Sequence, residues 1–421
     1  MPEISIIMPV YNTAEYLVKS LCSLQQQTYT DFELICVNDA STDDSLAILE
    51  EFQKKDNRFV IINHEINCGA ACSRNDGLRM ARGKYVICLD SDDYFYSNLL
   101  EVIHKNAVEN DADVVIFGSE IYVKDTMELK KMGYSFQIID SLEARVLFLP
   151  RIRHVPWDKL VKREILLKYQ IAFQNILTNE DVLYSFSLML MAERIVVCDE
   201  ILLKYCAERP GNLSSMRISK KNYTVEAFYA IYQFILRNNI EEQLKTIFMN
   251  ILSDNIQKYL SDNMYSIQMR QESLKILLGY QNLIDSLERY SQKKALYPHN
   301  RKFVEKLIKG ENVCNVGYYE YYSESIADII LEKNNLQKKI ALWGCGQNGK
   351  KLLHIMRQAK LSVDYVVDEN KAIQGTLCGE YIIYSYDRIA DNVDTIFITN
   401  LEYKKEIEKR TKGKEVLYVW K

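Results

Sequence analysis

No window of the 421 residues approaches 18 consecutive apolar side chains, so no segment is expected to span a bilayer. Glycine (15) and proline (6) are scarce, which excludes a collagen-like or low-complexity chain. With 48% hydrophobic and 26% charged residues, the composition is that of a globular protein. An excess of basic charge is also missing. The 53 Lys plus Arg against 57 Asp plus Glu leave a formal net charge of −4, so no nucleic-acid partner is expected. The start, MPEISIIMPVYN, lacks the basic stretch, longer apolar core and small-residue cleavage site of a signal peptide, and a cytoplasmic protein is expected. The ten cysteines lack CxxC spacing and are scattered through hydrophobic runs, as buried reduced thiols are. Cys68 and Cys72 are spaced to share a helix face, but a metal site there needs other ligands.

The length suggests two or three domains. Up to about residue 118, the runs ISIIM, FELICV, FVIIN, YVICL and DVVIF alternate with amphipathic stretches. Strands apolar on both faces, separated by helix-length segments, argue for a mostly parallel sheet covered on both sides. Between the first two runs, Leu17, Leu21 and Leu24 recur at helical spacing, with Thr13 placed to cap that helix. After residue 221 the aromatic and aliphatic positions repeat every three or four residues, as in a helical bundle. From about Lys338 the strand and helix alternation restarts. The expected division is therefore 1–220, 221–336 and 337–421.

The stretch YVICLDSDDY (Tyr85 to Tyr94) ends an apolar run in three carboxylates, Asp90, Asp92 and Asp93. Such charges repel one another and resist desolvation unless something neutralises them. Asp90 and Asp92 flank one residue, so in an extended segment their side chains point the same way. Oxygen ligands at that spacing suit a hard cation, Mg or Mn, that keeps open positions for phosphate oxygens. A solvated turn is the bland alternative. Other strand ends carry matching polar groups: MPVYN after the first strand, VNDASTDDS with Asp39 after the second, and NHEINCGAACSRNDGL with Asn67, Gly69 and Arg74 after the third. Sites in open sheets of this kind lie beyond the carboxyl ends of the strands.

In that order and at those distances, these motifs resemble the family-two glycosyltransferases of GT-A fold, over roughly the first 215 residues. The resemblance implies a nucleotide-diphospho-sugar transferase domain followed here by an α-helical domain and a small Rossmann-like α/β domain. It assigns nucleotide binding to Pro9, Val10, Tyr11 and Asp39, and donor contacts to Asn67, Gly69, Arg74, Ser91 and Asp93. Asp90 would contact ribose or metal, and Asp92 would ligate the metal on the diphosphate. TNEDVLYSF resembles the family's ED motif, with Asp181 as catalytic base and Glu180 beside donor or acceptor. Read from the residues alone, Asn179 is a helix cap with two acidic residues in the first turn. VPWDKLVKREIL resembles an acceptor-side segment with Trp157 and Lys159, against an amphipathic helix packing Trp157 and Leu160. Arg209 and Ser214 resemble a loop that closes over the diphosphate.

The implied reaction is an inverting, metal-dependent transfer from a nucleotide-sugar donor, with Asp39 leaning toward uracil, to a glycan or lipid-linked glycan acceptor. A cytoplasmic enzyme with peripheral contact at the inner face of the membrane follows from such an acceptor. In the C-terminal segment, Gly344, Gly346 and Gly349 form GxGxxG between a strand and a helix, with Asp368 at the end of the next strand. Such a loop admits a nucleotide-type ligand, NAD among them, or a structural or assembly role including homo-oligomer formation. No tightly bound organic cofactor is expected. The competing functional readings are a nucleotide-sugar-binding scaffold and an NAD-dependent sugar-modifying enzyme acting through this segment.

Overall fold

In the computed structural model the chain is described at residues 1–123, 128–206, 222–317, 321, 339–358, 362–398, 407, 409–411 and 414–418. It falls into two compact units, Met1–Leu252 with Lys275–Leu283, and Ser253–Leu274 with Ile284–Lys421. The helical region expected at 221–336 is thus divided between them. Both expected boundaries border or fall among residues outside those described.

In the first unit the chain runs β1 (Ile4–Val10), α1 (Ala14–Gln25), β2 (Phe32–Asn38), α2 (Ser45–Lys55), β3 (Phe59–Asn63), α3 (Ala70–Met80), β4 (Tyr85–Cys88) and β5 (Tyr94–Phe95). There follow α4 (Leu99–Glu109), β6 (Val114–Val123), β7 (Glu128–Met132), β8 (Gln137–Ile139), α5 (Leu142–Phe148), β9 (Lys159–Lys162), α6 (Arg163–Lys168), α7 (Glu180–Met191) and β10 (Ile195–Tyr205). One sheet orders its strands β3-β2-β1-β4-β9-β6-β10-β5, with β7 on β6 and β8 on β10. The β3-β2-β1-β4 half is parallel throughout. Its strands are apolar on both faces because helices cover both. Ile4, Ile6, Met8 and Val10 enter one core, while Ile7 on the opposite face meets α3 at Gly77. A Cβ at Gly77 would sit 2.4 Å from the Ile7 side chain, so only glycine lets α3 lie this close.

Three features depart from the sequence expectations. The KLVK segment is not part of an amphipathic helix but strand β9, inserted antiparallel between β4 and β6. Leu160 and Val161, on opposite faces, are both buried there, and four residues are too few to show a period. The sequence offers IVVCDE and ILLKYCAE as two strand candidates, whereas Ile195–Tyr205 is one long strand, β10, paired with β6 with register irregularities between Val197 and Leu203. Cys345 and Cys378 are joined in a disulfide, while the eight other cysteines are free, so the expectation of reduced thiols throughout fails at this pair.

After β10 come helices α8 (Thr224–Arg237), α9 (Glu242–Ser261), α10 (Ile267–Gly279), α11 (Gln281–Gln292) and α12 (Pro298–Ile308). The aromatic stripe of α8 is core: Phe228 packs between Phe186 of α7 and Phe248 of α9. No helix among the described residues is long and apolar enough to cross a membrane.

The second unit holds a six-stranded mixed sheet made of β11 (Ile340–Trp343), β12 (Tyr365–Val367), β13 (Leu377–Cys378), β14 (Tyr381–Tyr384), β15 (Thr395–Ile398) and β16 (Glu415–Tyr418), ordered β13-β14-β12-β11-β15-β16. Only β13 runs antiparallel to its neighbour. Helix α13 (Gln347–Gln358) connects β11 to the parallel β12. Alternate residues feed two cores: Leu342 packs with Leu352 and Met356, and Ala341 and Trp343 pack with Ile396 and Ile398.

Candidate active site

The site assembles at the carboxyl ends of β1, β2, β3 and β4. Met8, Pro9 and Val10 belong to β1 itself, so the turn begins at Tyr11. Val10 is fully buried and presents only its backbone, whose carbonyl accepts the Asp39 N–H at 2.8 Å. Tyr11 is exposed, and its ring is free to face a ligand. Asn12 takes a left-handed φ of 50°, a conformation Asn tolerates better than most residues. Its Oδ1 accepts the Thr42 N–H at 2.8 Å, and its own N–H donates to Ser41 Oγ. The Thr13 and Ala14 N–H groups donate to Ser45 Oγ and Asp43 Oδ2, each at 3.0 Å. Thr13 caps α1 by position without its side chain. These cross-links stitch the first turn to the second.

Asp39 is buried, and its carboxylate is held by the start of α3. The Cys68 N–H donates to Oδ1 and the Gly69 N–H to Oδ2, both at 2.8 Å, with Gly69 at φ 87° in the helix-capping position. Asn67 Nδ2 donates to the Asp39 carbonyl at 3.2 Å. Asn67 and Gly69 therefore shape the Asp39 pocket. His64, at the end of β3, places Nδ1 2.9 Å from Asp39 Oδ1 and Nε2 2.8 Å from Asp76 Oδ2. Of the roughly four acceptor positions on the Asp39 carboxylate, these contacts leave one on Oδ2. The sequence reading passed over His64 and Asp76; the signal available was a polar residue directly after the FVIIN run.

At the other side of α3, Arg74 is buried and bridges two carboxylates, Asp90 Oδ1 at 2.8 Å and Glu180 Oε1 at 3.0 Å. Burial alone would discharge a guanidinium, but Asp90 and Glu180 more than offset it and hold its charge. The guanidinium also stands 5.3 Å from the Phe173 ring centre, and Phe173 stacks on Tyr184 at 4.2 Å. Arg74 thus ties the acidic turn to α7 rather than reaching outward. Asn179 precedes α7 with φ 63° and no side-chain cap; its Nδ2 donates instead to Asn222 and Thr224. Glu180 and Asp181 fall in the first helical turn, both largely buried, where the helix N-terminus favours negative charge.

Asp90 to Asp93 form a turn, closed by the Asp93 N–H on the Asp90 carbonyl at 3.4 Å, and not the extended segment expected. Ser91 and Asp93 are buried within it. β5 and β10 bring Cys206 alongside, and its N–H donates to Asp93 Oδ1 at 2.9 Å. Asp93 Oδ2 is buried with no hydrogen-bond partner among the described residues. Burial first, then the charges of Asp90 and Asp92, push the Asp93 carboxyl well above the usual carboxylate range. Clustered carboxylates in this state fit a divalent cation held by one or two of them plus substrate phosphate oxygens, as Mg is usually held. Among the described residues, three ligand-type side chains converge within 4.8 Å at a different place, Asp39, His64 and Cys68.

The other residues singled out from sequence lie elsewhere. Trp157 is core, stacked on Tyr205 at 5.3 Å. Lys159 is buried under the 153–158 loop, donating to the carbonyls of Arg153 (2.9 Å) and Val155 (2.8 Å) and to Asp158. Burial pushes its ammonium below the usual lysine range. Both side chains are thus buried and spend their contacts within the fold. Arg209 and Ser214 lie outside the described residues. In the second unit, Gly344 has φ 102° and its N–H donates to the Val367 carbonyl at 2.8 Å. A Cβ at Gly349 would lie 1.8 Å from the Gly344 carbonyl oxygen, whereas Gly346 faces open space. Asp368 receives the Cys345 N–H on Oδ2 and the Asn370 N–H on Oδ1, both at 2.9 Å, and so fastens the loop.

A doubly wound sheet with carboxylates at its strand ends and a buried acidic helix start defines a glycosyltransferase of the GT-A fold. The family profile described as Glycosyl transferase family 2 matches residues 5–169, and one described as C2185-like, N-terminal, matches 336–416. The chain is 30% identical over 264 residues to glycosyltransferase GlyG of Streptococcus pneumoniae serotype 4, covering 60% of this chain and 87% of that one. It belongs to glycosyltransferase family 2. The poly(ribitol-phosphate) beta-glucosyltransferase of Bacillus spizizenii is 29% identical over 256 residues, 59% of this chain and 40% of its own length. The crystal structure of S. aureus TarS 1–349 superposes with a TM-score of 0.60 at 21% identity, over 80% of this chain and 93% of that one, a likeness of fold. The same TarS fragment has been solved with UDP-GlcNAc.

Proposed function

We propose that this transferase moves a sugar, with inversion, from a nucleoside diphosphate donor, most simply a UDP-sugar, to a hydroxyl of a bacterial surface polysaccharide or glycoconjugate. The observation that carries the proposal is the Arg74 bridge, which fixes Asp90 of the acidic turn against Glu180 and hence Asp181 in one rigid frame. The two ends of a displacement, a departing diphosphate and an attacking hydroxyl, need groups held in such a relation.

In this reading Tyr11 and the free acceptor position of Asp39 receive the base, the latter accepting a uracil imide N–H. Asp92 and Asp90 would hold a divalent cation, Mn or Mg, which would supply positive charge against the leaving diphosphate. Asp181 takes the proton of the acceptor hydroxyl as its oxygen bonds to the anomeric carbon, and the bond from that carbon to the diphosphate oxygen breaks with its electron pair leaving on the nucleoside diphosphate. Glu180, fixed by Arg74, orients donor or acceptor hydroxyls. The β11-α13-β12 unit with its glycine turn supports a Rossmann-like C-terminal domain, whose ligand or assembly role is separate from transfer. Peripheral attachment at the inner membrane face follows only if the acceptor is lipid-linked.

Asp181→Asn tests the assignment. Transfer is expected to fall by about 10²- to 10⁴-fold while donor binding is retained. Unchanged transfer contradicts the role of Asp181, and absence of product from the wild type with any UDP-, GDP- or dTDP-sugar supports a scaffold instead.

A further inference from the structure

One polar cluster is larger than base recognition requires. Around Asp39 stand an imidazole, two thiols and a second carboxylate: His64, Cys68, Cys72 and Asp76. Single ligand atoms of Asp39, His64 and Cys68 already lie within 4.8 Å of one another. The Cys72 thiol, four residues on from Cys68, lies outside that group and donates to Asp76 Oδ2 at 4.0 Å, so as a fourth ligand it must turn from Asp76 to the cluster. We propose that Asp39, His64, Cys68 and Cys72 form a second metal site, for a thiophilic divalent cation of the zinc class.

The donor set argues for that class. Two sulfurs, one imidazole nitrogen and one carboxylate oxygen make the mixed, four-membered set that zinc takes, whereas Mg and Mn prefer oxygen alone. Bonds of about 2.0–2.3 Å place tetrahedral ligands about 3.3–3.8 Å apart, so the three converged atoms need to close by about 1.5 Å at most. His64 supplies the independent observation. Nδ1 faces the cluster, while Nε2 is 2.8 Å from Asp76, which is itself paired with Arg79. A carboxylate behind a histidine fixes which nitrogen carries the proton and which is left to bind metal, and this outer partner is the usual companion of a zinc-bound imidazole.

The cluster is also reachable. Cys68 is exposed and Cys72 half-buried, and Cys68 Sγ donates to the Ile66 carbonyl at 3.3 Å. Binding of the two sulfurs as thiolates releases their protons to solvent. Asp39 Oδ1 turns from His64 to the cation, while Oδ2 keeps the Gly69 N–H and its free acceptor position. The site would clamp residues 64–69 against the end of β2 without consuming the atom offered to a nucleobase. It is independent of the hard cation at Asp90 and Asp92, because it shares no ligand with it.

The test uses the full chain, reduced and stripped with a chelator, titrated with Co²⁺ alone as a spectroscopic probe and then with Zn²⁺. One equivalent is expected to produce a thiolate-to-cobalt charge-transfer band that Zn²⁺ removes. Cys68→Ser and Cys72→Ser, both at accessible positions, are expected to lose the band. Asp76→Asn is expected to keep it with about 10- to 100-fold weaker affinity, and Asp92→Ala to leave it intact. Zn²⁺ should raise the melting temperature of the wild type and not of the cysteine variants, whose fold is checked by circular dichroism. A wild type without the band, or a band that survives both cysteine substitutions, overturns the proposal.

Discussion

Arg74 meets carboxylates from segments 16 and 106 residues away in sequence, and this makes it the point where the acidic turn and the start of α7 are forced into one arrangement. Removing one partner from a buried ion pair leaves the others uncompensated, at a cost of about 3–5 kcal/mol. Arg74→Met is therefore expected to lower unfolding free energy by an amount of that order in a urea titration, and to depress transfer as well. Arg74→Lys keeps the charge but lacks the fork that reaches both Asp90 and Glu180, so it should recover stability better than activity. A stability for Arg74→Met equal to that of the wild type would show the bridge to be dispensable. Sequence alone placed Arg74 near the donor; its burial and its two partners depend on long-range packing that no local pattern reports.

Among the elements, the parallel strands stay together at their amino ends through a second polar knot. Ser5 Oγ donates to Glu33 Oε1 at 2.7 Å, the Arg82 N–H donates to the same oxygen at 2.8 Å, and the Gly83 N–H donates to Ser5 Oγ at 2.7 Å. This fixes the connection from α3 to β4 and so the position from which the acidic turn emerges. Burial works to raise the Glu33 carboxyl, but hydrogen bonds from Ser5 and Arg82 prevail and hold it below the usual range. A carboxyl depressed on folding adds stability above its unfolded value near pH 4.3, and that stability fades as pH falls through the lower folded value. Glu33→Gln should thus cost about 1.5 kcal/mol at neutral pH. The gap from wild type should narrow in unfolding titrations below about pH 4; a pH-independent gap would point to packing instead. The strands of this half were legible because each is a Val- and Ile-rich run bounded by turn residues. β9 was not, because its four residues include a lysine whose charge is satisfied only by the folded 153–158 loop. β7 and β8 likewise carry no run that distinguishes them from loop.

For the whole molecule, the strand-end motifs disclosed the transferase unit and the glycine turn disclosed the second sheet. The two-unit division and the Cys345–Cys378 disulfide were hidden, since both depend on which distant segments meet. In the second unit the close approach of Gly349 to the Gly344 carbonyl leaves no room for a methyl group. Gly349→Ala should destabilise that sheet by about 1–3 kcal/mol. Amide hydrogen exchange is expected to quicken in β11, β12 and β15 while β1, β2 and β4 keep their protection; unchanged exchange in all six would contradict the packing described. The central claim, that Asp92 and Asp90 hold a cation on which a donor diphosphate depends, is tested most directly by isothermal titration calorimetry of UDP-sugars with and without Mn²⁺. Wild-type binding is expected to strengthen at least tenfold with Mn²⁺, and Asp92→Ala to abolish that gain; donor affinity that ignores both the metal and the substitution would contradict it.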